Sequence, residues 1–171
     1  MPPQLRKLAL TTHVASSVGW IGAVVVFLAI ASLGLTSHEP QTVRGAYLVM
    51  EQAAWLTLVP LACASFVTGL VMSLGTAWGL FRHYWVVFKL FITVFATVVL
   101  LVYMQTFRQM AALAVDPAVG LDAVRNPSPL VHAVLALLIL LVATVLAIYK
   151  PPAVTPYGRR KQLQQRASSQ L

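Results

Sequence analysis

Four long apolar runs, at about residues 8–35, 47–74, 85–107 and 130–149, occupy most of the 171-residue chain, and short polar segments separate them. Each reaches or exceeds the roughly 20 residues an α-helix needs to cross the hydrocarbon core of a bilayer. The pattern predicts an all-α membrane protein: a bundle of four transmembrane helices over residues 1–150, followed by a basic tail over 151–171. A cleavable leader is the alternative for the first run, because Arg6 and Lys7 precede it and Ala29-Ile30-Ala31 resembles a cleavage site. The run is longer than the 7–15 residues of a leader's apolar region and carries His13, so it is read as a retained helix.

Punctuation refines this outline. Pro60 removes one backbone hydrogen bond from the second run and predicts a kink there. Asn126-Pro127-Ser128-Pro129 is a start signal for the fourth run, with Ser128 as N-cap and Pro129 at the first helical position, and Pro151-Pro152 ends it. The segment 108–125 is polar enough to leave the membrane, yet Ala111, Leu113, Ala118 and Leu121 suit a short interfacial helix broken near Pro117. From Pro152 onward the chain is rich in Gln, Ser, Arg and Lys and has no apolar face, so a disordered tail is expected. Ala15, Gly19 and Ala23 in the first run and Ser65, Gly69 and Ser73 in the second form small-residue faces that predict close packing of these two helices, or of a second copy or partner helix.

Composition agrees: 59% of residues are hydrophobic and 9% charged, with a mean hydropathy of +0.82. A soluble domain carries roughly 25% charged residues. The net charge of +8 points away from nucleic acid, since the basic residues sit at the edges of spans and along no single helix face. An even number of spans puts both termini on one side. That side receives Arg6, Lys7, Arg82, Lys150, Arg159, Arg160, Lys161 and Arg166, and the other receives Arg44, Arg108 and Arg125. Eight against three predicts cytoplasmic termini, and the short loops suit a multi-pass protein of a bacterial inner membrane. Cys63 is the single cysteine and lies inside an apolar run, so neither a disulfide framework nor a cysteine metal motif exists.

Ionisable groups inside spans are costly and usually face the bundle interior. Four qualify: His13, Glu51, Lys89 and His132. Counted from the side of the termini, His13 lies roughly 7 Å and Lys89 roughly 6 Å into the core at 1.5 Å per residue. Glu51 and His132 form a second layer near the opposite side, where they would stabilise each other if both faced inward, and otherwise reach the interface. His13 shares a helical face with Trp20 and with Ser16 or Ser17, while Trp85 and Lys89 share one on the third run with His83 just before them. A haem b between the helices needs neutral imidazole ligands at compatible depth. His13 with His83 is the pair at the terminal side, and His38 with His132 the pair at the other. The alternative for each is a structural histidine satisfied by a neighbouring carbonyl.

His13-x6-Trp20-Ile21-Gly22 resembles the H-x6-W-[FIV]-[GA]-G pattern that opens the first helix of the HemJ-type protoporphyrinogen oxidases and of related small membrane families, including CopD-like proteins. Trp85-x3-Lys89-Leu90 resembles the W-L-H-x-K-L segment of the same group. The resemblance covers two of the four helices. It implies a redox-active protein with haem b as cofactor, His13 as an axial ligand, and Lys89 as the contact of a propionate or of a reacting tetrapyrrole. A porphyrin or a quinone would be the small-molecule partner. Trp20, His83 and Trp85 complete the expected cofactor-binding set, with His13 and His83 as the iron-ligand candidates; catalytic residues stay unassigned. The chain departs from the family at Ala31-Ser32-Leu33-Gly34-Leu35, at Val87 and at Tyr103-Met104, where that group has histidines.

Two other function classes fit the same composition. Copper transport follows from the CopD-like resemblance, although Met50, Met72, Met104 and Met110 form no M-x3-M array and Cys63 has no partner cysteine. A non-catalytic membrane subunit would use the small-residue faces to bind another helix. For topology, a reporter fused after Leu171 should behave as cytoplasmic, and an active C-terminal alkaline phosphatase fusion would show the opposite orientation. Converting Arg159, Arg160, Lys161 and Arg166 to Gln should weaken the bias.

Overall fold

The computed structural model describes residues 1–75 and 79–168. Helix α1 runs from Pro3 to Thr36. A second rod comprises α2 (Pro40–Ala53), a π-helical turn (Ala54–Leu58) and α3 (Val59–Gly75). Helix α4 spans Tyr84–Val115, α5 is the single turn Leu121–Val124, α6 spans Ser128–Tyr149, and α7 spans Pro156–Ser168. Four of these segments are long and apolar enough to cross a membrane, so the chain is an integral membrane protein of bundle type.

In the bundle, α1 packs along the second rod and along α6, and α4 closes the square by packing on the same two. Helix α1 is apolar on nearly every face, so hydrophobicity alone does not choose the side that packs. Its buried positions are Ser16, Trp20, Val24, Phe27, Ala31 and Gly34, a stripe at spacings of three and four. The first two spans do pack closely, with Gly19 against Leu61 and Gly69 against the His13 ring. Ala15, assigned to the small-residue face, is exposed because the contact stripe is rotated onto Ser16.

The helix departs from α geometry just before Pro60. Proline lacks an N–H and crowds the carbonyl four residues back. The turn just before it opens to a wider step, with the Val59 N–H bonded to the Ala54 carbonyl. The rod therefore continues through the proline as π- and then α-helix.

The end of the bundle away from the termini is closed by side chains that bond to loop carbonyls. Arg44 donates to the carbonyls of Ala114, Asp116 and Val119, capping the last turn of α4, where the helix dipole favours a cation. Arg125 donates to the Ser37 carbonyl at 2.7 Å. The Tyr47 hydroxyl donates to the Asn126 carbonyl and accepts the Asn126 N–H. Gly34 allows the Tyr47 ring to lie flat on α1, since a Cβ there would stand 3.3 Å from the ring.

Three boundaries differ from the sequence expectation. The third span continues through residues 108–115, because Met110, Ala111 and Ala114 are buried where α4 packs on α2. Helix α6 begins one residue early: Pro127 occupies the cap position, and the Asn126 side chain accepts the Ser128 N–H at 2.9 Å. The tail, expected to be disordered, is helical over Pro156–Ser168. Composition concealed a capping signal, Thr155-Pro156, whose hydroxyl accepts the Gly158 N–H and donates to the Phe81 and Arg82 carbonyls. Backbone bonds Thr155 N–H to Arg82 O and Tyr84 N–H to Ala153 O tie residues 153–155 to the segment before α4.

Gly158 is buried against the Arg82 carbonyl, and an added Cβ would collide with it. Gly158→Val should therefore release α7 while leaving the bundle folded. Limited proteolysis should then cut within residues 156–168, with no change in the thermal transition of the membrane domain; continued protection would mean the tail is held by other contacts.

Candidate functional site

At the end that carries both termini, α1, α3, α4 and α6 surround a cavity of about 710 Å³. That volume lies in the range of small-molecule and cofactor sites. His13, Ser17, Trp20, Trp85, Lys89 and Thr93 are among its lining side chains. Sequence reasoning placed His13 and Lys89 at one depth, and they do share this cavity.

The orientation of His13 is set by α3. Its Nδ1 lies 3.1 Å from the Ser65 carbonyl and 3.1 Å from the Thr68 hydroxyl. A carbonyl can only accept, so the ring carries its hydrogen on Nδ1 and donates it to Ser65. The Thr68 hydroxyl points its own hydrogen at the Ala64 carbonyl and so presents a lone pair to the same N–H. The lone pair of the imidazole is left on Nε2. Gly69 makes room for the ring, since a Cβ at this position would stand 3.1 Å from its Cε1. Neighbouring serines on α1 do not bond the ring: Ser16 donates to the His13 carbonyl, and Ser17 meets Ser65 hydroxyl to hydroxyl at 2.8 Å.

Sequence reasoning missed Thr68 and the use of Gly69. Both lie one helical turn beyond Ser65, on the face already marked as small, and the spacing 65, 68, 69 is the signal that such a face can accept a side chain from its neighbour.

The other site candidates separate. Trp20 is buried in the core and Trp85 is half-buried, and both line the cavity. His83 does not line it; as the residue preceding α4 it pairs with Val154, and its ring lies 6.4 Å from that of Trp85. The structure therefore does not bring His13 and His83 to one cavity. His38 is exposed in the loop after α1. His132 donates from Nδ1 to the Ser128 carbonyl at 2.9 Å and stacks on Tyr103 with ring centroids 4.0 Å apart. Tyr103 in turn hydrogen-bonds Ser128 at 2.8 Å. Glu51 is half-buried on α2 and shares no hydrogen bond or ion pair with His132, whose Nδ1 is taken by Ser128. Cys63 is exposed on α3, away from the cavity. Among the described residues, no three His, Cys, Asp or Glu side chains converge as a metal cluster.

Set against protein-family models, curated proteins and solved structures, the chain matches none. The functional reading rests on the geometry.

That geometry makes a spectroscopic prediction. In ¹⁵N-histidine spectra of the purified protein, His13 should be neutral with its hydrogen on Nδ1, the less common tautomer. Gly69→Val should displace the ring from Ser65 and remove that signature, whereas a proton found on Nε2 in the unaltered protein would refute the Ser65 hydrogen bond.

Proposed function

We propose that this protein is a haem-b-binding, redox-active protein of a bacterial inner membrane, with cytoplasmic termini and its cofactor in the cavity between the four helices. The observation that carries this reading is the His13 imidazole, which commits Nδ1–H to the Ser65 carbonyl, leaves its lone pair on Nε2, and belongs to a side chain that lines one cavity with Trp20, Trp85 and Lys89. Metal-bound histidines characteristically donate their second nitrogen to a carbonyl or carboxylate, which fixes the tautomer and raises ligand basicity.

The donor set fits the group. His13 would hold the iron, and among the described residues it is the one histidine of the lining, so the reading keeps a single protein ligand and drops His83 from the iron-ligand pair. Lys89 would orient a propionate through a charge-assisted hydrogen bond. Trp20 and Trp85 offer flat apolar surface to a macrocycle and exclude water from it. When bound, haem supplies one-electron redox chemistry at a potential set by its axial ligand and surroundings. The motifs on α1 and α4 that resemble the HemJ-type group fall on residues of this same lining, which supports a place in that wider superfamily.

Protein purified in mild detergent from haem-replete cells should show a Soret band. His13→Ala should abolish it, and Lys89→Met should weaken haem affinity by about tenfold without abolishing binding, in line with the loss of one hydrogen bond to a charged group. A colourless protein with the native fold would sink the haem reading, and an unchanged spectrum in His13→Ala would sink ligation by this residue.

A further inference from the structure

The cavity is not walled evenly. On α1, Arg6, Leu10, Val14 and Val18 all belong to its lining and recur every four residues, so they form one continuous ridge inclined to the helix axis. Leu10, Val14 and Val18 also line a second, shallower depression on the outer surface of α1. They are 48%, 50% and 63% exposed, and Ile148 on the facing part of α6, also in the lining, is 69% exposed. Residues that belong to both the cavity and the outer face mark a mouth that opens sideways, toward lipid, between the terminal-end halves of α1 and α6. On the α6 side, Ala143, Thr144 and Ala147 are small and leave this groove wide.

Charge is arranged along the groove in one sense. Arg6 stands at the outer end of the α1 row and Lys150 at the end of α6, with Lys89 further in, and among the described residues no Asp or Glu lines the cavity. The four acidic side chains, Glu39, Glu51, Asp116 and Asp122, all belong to the half of the bundle away from the termini. Twelve residues from Arg6 to Val18 rise about 18 Å. One leaflet contributes about 15 Å, half of the hydrocarbon thickness. A cationic head followed by an apolar track one leaflet long has the polarity and length of an anionic phospholipid, and basic pockets between transmembrane helices bind such headgroups.

We infer that the groove between α1 and α6 is a binding site for one anionic phospholipid of the leaflet at the terminal end, its phosphate held between Arg6 and Lys150 and an acyl chain lying along Leu10, Val14 and Val18. This site is independent of haem: it uses the mouth of the cavity, and His13 takes no part in it.

The test is thermal unfolding of delipidated full-length protein in detergent with three probes: phosphatidylglycerol, phosphatidylcholine of the same acyl chains, and glycerol phosphate. Phosphatidylglycerol should give a saturable rise in Tm, phosphatidylcholine a much smaller one, and glycerol phosphate none. Arg6→Gln combined with Lys150→Gln should lose most of the rise. Val14→Trp, which fills the groove and keeps both cations, should lose it as well, and it decides the matter if the double variant does not fold. Neutralising Arg159, Arg160 and Lys161 should leave the rise intact, as should His13→Ala, so a protein without haem still gives a clear answer. Equal stabilisation by phosphatidylcholine, an equal effect of glycerol phosphate, a rise that survives both groove variants, or one that vanishes with the tail cations would each overturn the assignment.

Discussion

Within a bilayer no water is present to satisfy a polar group, so each donor and acceptor in the spans must find its partner in the protein. Most hydroxyls here solve this inside their own helix. Ser32, Thr57, Ser73, Thr93, Thr97 and Thr144 each donate to the carbonyl four residues back, at 2.6–2.9 Å. Such bonds are silent about tertiary structure. Others cross between helices: His13 with Ser65 and Thr68, and Ser17 with Ser65, join α1 to α3, and Tyr103 with Ser128 joins α4 to α6. Interhelical hydrogen bonds in membranes average only about 0.6 kcal/mol. Their larger effect is on register: a shift of α1 by one residue would carry His13 off Gly69 and leave its ring without an acceptor.

The two ends of the bundle solve the same problem in opposite ways. Away from the termini, Arg44, Arg125 and Tyr47 reach across to loop carbonyls and pull the connections over the helix ends. At the terminal end, backbone bonds join residues 153–155 to the segment before α4. The cavity lies at this end. Closed packing at one end supplies the rigidity against which an interior site at the other can keep its shape. The aromatic chain Phe27, Phe107 and Tyr103, with edge-on contacts at 5.8 and 4.9 Å, belongs to the core between the two ends.

The class of fold was legible from the chain alone, because a bilayer imposes a length and a polarity that four runs of this sequence meet and no soluble arrangement would. The depth shared by His13 and Lys89 was legible too, since helical rise converts residue number directly into position along the membrane normal. Helix ends were less so. The α4 extension through 108–115 depends on burial against α2, and the order of α7 on a docking contact between Gly158 and Arg82, and neither partner adjoins in sequence.

Rotation about the helix axes was decided by tertiary structure alone. Where a span is apolar all round, its sequence carries little information about which face meets a neighbour, so depth alone could not decide whether Glu51 meets His132 or His13 meets His83. The fold separated both pairs. It also turned a stripe of small residues at 65 and 69 into the seat of an imidazole, because only the packed pair of helices brings the Ser65 carbonyl and the Gly69 gap to the depth of His13. Depth is a property of one helix and is written in its sequence; azimuth is a property of pairs of helices and exists only once they pack.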